Sequence, residues 1–352
     1  MFKLSQKEIM ENWGDNTEPL VSVGCITYNH EDYIEEAIQS FLMQKTNFPF
    51  EVIIHDDAST DDTAKIIKRY AKKYPNIIKP IFQIENQYSQ INGPIYPRFV
   101  YPKCNGEYIA LCEGDDYWTD PFKLQKQVDI LEKHSGCSWS FHPAQIVNHI
   151  KPTGKICRIT NNNKVFGEQD IFKINKTRFS PTASILFRTR HIKQLPNWVL
   201  NAPVGDLPLK LYLTTKGKAY YINEAMSAYR INVAVSWNSD YKSNLNKRKK
   251  LHLGLIKMLH SFNIYTKYKY YEQIINKQIE YLFKIVKYYP LKLRLKYLFL
   301  IINNTKVLNI VKINTIIRIL ILTLLPQSSK LLIRIKEITT AITHEWRSYA
   351  NT

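Results

Sequence analysis

Two acidic runs and one isolated aspartate hold most of the chemistry available to this chain. HDDASTDD occupies residues 55–62, EGDD occupies residues 113–116, and Asp206 stands alone in GDLPLK. Carboxylates grouped at a strand end can share a divalent cation and set it against phosphate oxygens. A single carboxylate beside a substrate hydroxyl can instead take its proton. Each group in isolation is equally a solvated turn or a helix cap. The elements that carry them decide between these roles.

Residues 20–27, LVSVGCIT, read as a buried strand, and a helix follows with Ile34, Ala37, Ile38, Phe41 and Leu42 on one face. Residues 50–54 make a second strand that runs into Asp56 and Asp57. Thr60 or Asp61 is expected to cap the next helix, which carries Ile66, Ile67 and Tyr70 and stops at Pro75. Residues 77–84 fit a third strand, and IALC at 109–112 a fourth that meets Glu113, Gly114 and Asp115 directly. Successive βα units predict a mostly parallel sheet flanked by helices, and such sheets collect ligands at the carboxyl ends of their strands. Both acidic runs fall on that edge, which favours a nucleotide and metal site over two unrelated turns. No GxGxxG follows the first strand and no GxxxxGK[ST] occurs, which argues against a dinucleotide fold and a P-loop.

Residues 86–104 read as a long irregular connection with a helix near 98–103, and Arg98 or Lys103 is a candidate to face a diphosphate. After Trp118, Thr119 or Asp120 is expected to cap a helix with Pro121 at its first position. Residues 139–149 look like one strand passing into a loop, 153–164 like a polar connection, and 180–187 like a strand returning to the sheet. Leucines at 207, 209, 211 and 213 alternate, but Asp206 as N-cap, Pro208 and a stop at Gly217 favour a helix over 207–214. Residues 219–222 read as a short strand. His55 is expected to pack at a strand end, and His30 to lie in a loop near the ligand.

The series VSVGCITYNHEDYIEEAIQS, EVIIHDDASTDDT and GEYIALCEGDDYWTDPFKLQKQ resembles, in order, spacing and content, bacterial family 2 glycosyltransferases of the GT-A fold. The resemblance spans residues 20–240. It implies an inverting enzyme that uses a nucleotide-diphosphate sugar, a UDP-sugar foremost, with Mn²⁺ or Mg²⁺. It sets Thr27, Tyr28 and Asn29 beside the nucleotide, Asp56 and Asp57 at the base and ribose, and Glu113, Gly114 and Asp115 in the DxD triplet. Glu in place of the first Asp lengthens that arm, which assigns the metal chiefly to Asp115 with Asp116 supporting. Asp206 matches the family's general base, and Arg230 the basic residue that closes over the diphosphate, with Trp237 beside it; Ile231 stands where many relatives have His. A nucleotidyltransferase is the rival enzyme, weakened by the lack of a Gly-rich basic loop after the first strand. A membrane-binding scaffold with a degenerate enzyme domain is the rival of another class, weakened by the retention of Asp57, Asp115 and Asp206.

Charge divides the chain unevenly. Its formal net charge is +19 over 352 residues, and residues 241–352 carry 21 of the 49 Lys and Arg but 4 of the 30 Asp and Glu. That composition, with Ile313, Ile316, Ile317, Leu320 and Leu324 on one helical face, predicts a basic amphipathic helical extension after a domain at 20–240, whose nucleotide-binding half is 20–118 and acceptor half 119–240. Lys292, Arg294, Lys296, Lys306, Lys312 and Arg318 interrupt any uncharged run of the ~18 residues a spanning helix needs. Attachment to anionic lipid on the cytoplasmic face of the inner membrane is expected, with packing on the domain or a homo-oligomer as the alternative. A membrane-held enzyme suits a glycan or glycolipid acceptor of the lipooligosaccharide, capsule or O-antigen type. No nucleic-acid-binding module is recognisable, so no nucleic acid partner is expected. Five cysteines without a CxxC give neither a zinc site nor a disulfide framework, which fits the cytoplasm. Residues 1–19 lack the apolar run of a secretory signal and read as a short leader.

Overall fold

Long apolar runs at 20–27, 50–54 and 108–112 can be buried on both faces only in the middle of a parallel sheet, and they lie there in the computed structural model. It describes residues 4–286 and 288, apart from 16, 92, 150, 169, 171–179 and 234–243. In chain order the strands are β1 Val21–Thr27, β2 Phe50–Asp56, β3 Ile78–Phe82, β4 Tyr108–Glu113, β5 Tyr117–Trp118, β6 Cys137–Phe141 and β7 Ala144–Asn148. After these come β8 Lys151–Cys157, β9 Lys164–Phe166, β10 Leu186–Arg188, β11 Lys218–Tyr221 and β12 Ser227–Ile231. The main sheet has the order β3-β2-β1-β4-β10-β6-β11-β9. β3, β2, β1 and β4 run parallel, and β10 enters antiparallel between β4 and β6. A second sheet, β5-β12-β7-β8, lies outside the sequence expectation.

Among the described residues, the α-helices of five or more residues in the first unit are α1 Gln6–Met10, α2 Ile34–Leu42, α3 Thr63–Lys73, α4 Lys123–Lys133 and α5 Asp206–Thr214. Ile34, Ile38, Phe41 and Leu42 of α2 are all but fully buried, each burial stabilising by about 1.5–3 kcal/mol. The Phe41 ring meets Trp118 edge-on at 4.9 Å, so α2 carries the strand pair that follows the acidic turn. The N-terminal segment packs into this core as well. Ser5 and Glu8 form a capping box on α1, Trp13 lies edge-on to Phe50 at 5.2 Å, and the Trp13 indole donates to Thr46 Oγ1 at 3.2 Å.

Several boundaries differ from expectation for local reasons. Asp62 is the N-cap of α3 and makes no side-chain cap bond; Asp61 Oδ1 accepts from the Thr63 N–H at 3.0 Å instead. α4 begins at Lys123, because Asp120 Oδ1 takes the Phe122 N–H (2.7 Å) in a turn ahead of it. The returning strand is shorter than expected: both the Ser184 N–H and its hydroxyl donate to the Pro181 carbonyl, which coils Thr182–Ser184 into a 3₁₀ turn and leaves Leu186–Arg188 to pair with β4. Pro143 breaks 139–149 into β6 and β7, which join different sheets. The polar stretch 153–164 is partly strand, with β8 almost wholly exposed at an edge. Asp206 is the first residue of α5, and Gly205 is the N-cap.

The chain divides into two compact units, residues 1–245 and 246–352. In the second, α6 (Leu245–Tyr265) and α7 (Tyr271–Val286) form a helical hairpin. Gln278 Nε2 donates to the Ile256 carbonyl at 2.9 Å, His252 meets Tyr281 edge-on at 5.6 Å, and Leu255, Met258, Leu259, Phe262 and Ile274 are buried. Among the described residues no helix is long and apolar enough to cross a membrane. The stripe from Ile313 to Leu324, the lysines and arginines from 292 to 318, and Trp237 lie outside the described residues.

Candidate active site

Register fixes where the acids meet. Thr27 at the end of β1 pairs with Asp56 at the end of β2, and Ile26 pairs with Glu113 at the end of β4. The carboxyl edge of three adjacent parallel strands therefore carries Thr27, Asp56 and Glu113 side by side, with Asp57 and Asp115 just beyond. This is the edge expected from the sequence.

The loops at that edge are tied to one another. Asn29, held in the left-handed region at φ 51°, donates its N–H to Ser59 Oγ (2.9 Å) and accepts the Thr60 N–H on its side-chain oxygen (2.8 Å). The His30 N–H donates to Thr63 Oγ1 at 2.8 Å. Asp56 is buried and accepts from the Ser59 hydroxyl and N–H; burial, opposed by those bonds, raises its pKa. Asp57 accepts the N–H groups of Gln87 (2.8 Å) and Tyr88 (3.0 Å), one on each oxygen. It thereby starts the helical turn Gln87–Gln90. Tyr28 is half-buried beside them. His55 packs against Phe99 at 5.1 Å, in line with a strand-end packing role.

At Glu113–Asp116 the acids separate into distinct environments. Glu113 is pushed up to about 8 by burial and then by the charges of Asp115 and Asp206, against a hydrogen bond from Thr182 and the charge of Lys210. The charge of Asp206, 93 residues later, is thus felt at the end of β4. Burial alone would raise the Asp206 pKa, but Lys210, whose Nζ lies 2.7 Å from Asp206 Oδ2, and nearby backbone N–H groups outweigh it and hold the carboxyl below its usual value. Asp206 is the ionised carboxylate of the pair at neutral pH, and 41% of its side chain remains exposed. Asp115 is partly exposed. Asp116 is buried, accepts the Arg230 N–H at 2.8 Å, and is pushed well up by burial and then by Asp115 and Glu113. Through that bond it braces the turn from below, while Asp115 stays partly exposed.

Two basic residues stand elsewhere than expected. The Arg230 guanidinium is buried between the rings of Tyr33 (4.9 Å) and Tyr117 (4.7 Å). It donates to the carbonyls of Asp115 (2.6 Å) and His149 (2.9 Å) and pairs with Glu36. Its donors hold the acidic turn, which leaves it poorly suited to cover a diphosphate. Lys103 is exposed, and just after it the N–H groups of Asn105 and Gly106 donate to Glu51 and Ser22, at the amino ends of β2 and β1. Lys103 therefore lies at the wrong edge for a phosphate contact. Arg98 donates to the Leu200 carbonyl and Asn201 Oδ1 at 3.2 and 3.3 Å, tying the long connection to the loop before α5. Gly93 lies at the same junction, where a Cβ would stand 2.1 Å from the Leu200 carbonyl oxygen.

Among the described residues no three His, Cys, Asp or Glu side chains form a metal cage. A Mg²⁺ or Mn²⁺ ion on a nucleotide needs fewer, since one or two carboxylates suffice when phosphates and water complete the shell. Thr27 Oγ1, His30 Nδ1 and Asp116 Oδ2 are buried without a hydrogen-bond partner. The first two would stand 2.6 and 3.1 Å from a Cβ at Gly114. Partnerless polar atoms around an acidic turn with an open Asp115 fit a bound cation and its oxygen ligands.

The model for glycosyl transferase family 2 matches residues 22–195. These residues belong to glycosyl transferase family 2. The matched residues include Asp57 and the Glu113–Asp116 turn of this family 2 domain; Asp206 and Arg230 lie after them. The chain is 35% identical over 227 residues to an uncharacterized protein of Mycobacterium tuberculosis, covering 63% of this chain and 61% of that protein. It is also 35% identical over 132 residues to TuaG of Bacillus subtilis, named for teichuronic acid biosynthesis, covering 38% of this chain and 48% of TuaG. The crystal structure of Staphylococcus aureus TarS 1-349 in complex with UDP-GlcNAc is similar at a TM-score of 0.49 with 19% identity, covering 78% of this chain and 82% of that one. The chain thus spans less than two-thirds of the length of these sequence relatives.

Residues that sequence reasoning missed are Lys210, Thr182 and the Tyr33, Glu36, Tyr117 and His149 shell around Arg230. Lys210 had a visible signal, a lone charge among leucines four residues after Asp206. The Gly114 contacts yield a direct test. Gly114→Ala would press a methyl into Thr27 Oγ1 and displace the turn, so calorimetric binding of a nucleoside diphosphate with Mn²⁺ is expected to weaken at least ~tenfold; wild-type affinity would show the turn is not part of the site.

Proposed function

We propose that the chain is an inverting glycosyltransferase that moves a sugar from a nucleotide-diphosphate sugar to a hydroxyl of a surface glycan or glycolipid. One observation carries this reading: Asp206 on α5 is partly exposed, is held by Lys210 at 2.7 Å, and its charge reaches Glu113 at the end of β4. A displacement needs a base on one side of the anomeric carbon and charge stabilisation of the leaving group on the other. These two elements supply one each.

Asp115 would hold a Mn²⁺ or Mg²⁺ ion, which when bound neutralises charge on the departing diphosphate. Thr27, Tyr28 and Asn29 line the nucleotide, and Asp57 orders the 86–90 turn beside it, with a UDP-sugar as the favoured donor. Asp206 accepts the acceptor hydroxyl's proton as the new bond forms. Its low pKa suits this task, because the alcohol sheds its proton only as it attacks. Glu113, pushed up to about 8 by burial and neighbouring acids, is less charged than Asp206 beside the incoming hydroxyl. The acceptor class draws on family membership and on the teichuronic acid name of TuaG.

A screen of nucleotide sugars with Mn²⁺ should identify one donor. With it, Asp206→Asn is expected to lower kcat by ~10²-fold or more with donor affinity nearly intact, within the range for loss of a general base. Asp115→Ala should remove metal-dependent donor binding. Unimpaired transfer by Asp206→Asn would exclude it as base.

The basic C-terminal region is proposed to hold the enzyme on anionic lipid at the cytoplasmic face of the inner membrane, where lipid-linked acceptors are exposed. The excess of Lys and Arg after residue 240 supports this. In flotation assays the full chain should rise with vesicles containing anionic lipid and stay behind with zwitterionic ones. Equal behaviour with both would favour packing of the helices on protein instead.

A further inference from the structure

Lys210 is an unusual partner for a helix-surface acid. A Lys four residues after an Asp commonly forms a solvated pair of small effect. Here Asp206 is partly open, while the Lys210 side chain is only 7% exposed and sits among buried Leu207, Leu209, Leu211 and Leu213. Its Nζ lies 2.7 Å from Asp206 Oδ2 and 3.5 Å from the Ser180 carbonyl. Burying an ammonium is costly without an ionic partner, and helix stability alone would be served as well by another leucine.

We infer that Lys210 is a positioning residue of the active site, anchoring from the buried side of α5 the carboxylate that takes the acceptor's proton. The inference rests on Asp206 acting as the base. With Oδ2 held by a buried donor, the carboxylate has a fixed orientation, and its negative charge is stabilised from the protein side. The charged group of the acidic turn that interacts with both members of this pair is Glu113. The Thr182–Ser184 turn adds only neutral groups, the Thr182 hydroxyl and, just before it, the Ser180 carbonyl. Lys210 is the cation that lowers the pKa of both Asp206 and Glu113.

The test uses the full chain as wild type, Lys210→Met, Lys210→Gln and Asp206→Asn, each checked by thermal melting. If the methionine variant fails to fold, the glutamine variant, which keeps a donor but no charge, carries the comparison. In carboxyl-carbon NMR titrations the resonance missing from Asp206→Asn identifies Asp206, and its midpoint should rise by about 1–3 pH units in the Lys210 variants, the usual effect of losing an adjacent opposite charge. The acid limb of the kcat profile should move up with it, so that kcat falls by up to about tenfold for each pH unit the midpoint moves, at pH values below the new midpoint, but little at pH 8. Donor KM should stay within about twofold, since uniform binding is untouched. An unmoved midpoint, or a kcat loss equal at every pH, would overturn the role of Lys210 and leave Asp206 as base. A wild-type chain that transfers no sugar would overturn the base assignment itself, and this inference with it.

Discussion

The buried Arg230 guanidinium is the contact on which the site's geometry depends. An acidic turn repels itself, and Glu113, Asp115 and Asp116 crowd into four residues at the end of one strand. Arg230 answers this with its side chain on the Asp115 carbonyl and its backbone N–H on the Asp116 carboxylate. It is sandwiched by Tyr33 from the loop before α2 and Tyr117 from β5. The residue belongs to β12, so the second sheet serves to deliver one cation beneath the turn.

With the turn fixed, environment assigns different states to chemically similar acids. Asp116 is sealed beneath the chain, Glu113 is recessed beside two other carboxylates, Asp115 stays open, and Asp206 is matched with Lys210. Neighbouring carboxyls with divergent pKa values are a recurring feature of sites that need an ionised base next to neutral or metal-binding acids. The long connection at 86–104 links the two halves of this arrangement. Asp57 begins its helical turn, and Gly93 and Arg98 close against the loop that leads into α5.

The carboxyl edge was legible in the sequence because parallel strands buried on both faces leave long apolar runs, and the acids begin where those runs stop. β1, β2 and β4 follow that rule closely. The second sheet was not legible: β5 has two residues, β8 is nearly all exposed, and β7 follows β6 with only His142 and Pro143 between, so none shows a clean period. Pro181 suggested the start of a strand, but the Ser184 hydroxyl captured its carbonyl and coiled the chain. Arg230 was found near the acidic turn, but its hold on the turn's backbone was not legible. Sequence order can place a cation near an anionic site but cannot tell whether its donors turn toward ligand or toward backbone. Lys210 was overlooked because an i, i+4 pair looks the same in sequence whether solvated or buried.

The central claim is that Asp206 and the acidic turn act on opposite sides of one anomeric carbon. That geometry demands a single displacement, and the stereochemistry of the product reports it directly. Proton NMR of product formed from an α-linked nucleotide sugar should show a β-linked sugar from the first turnover. An α-linked product would contradict the account, because retention requires a reaction course that one base facing one leaving-group site does not provide.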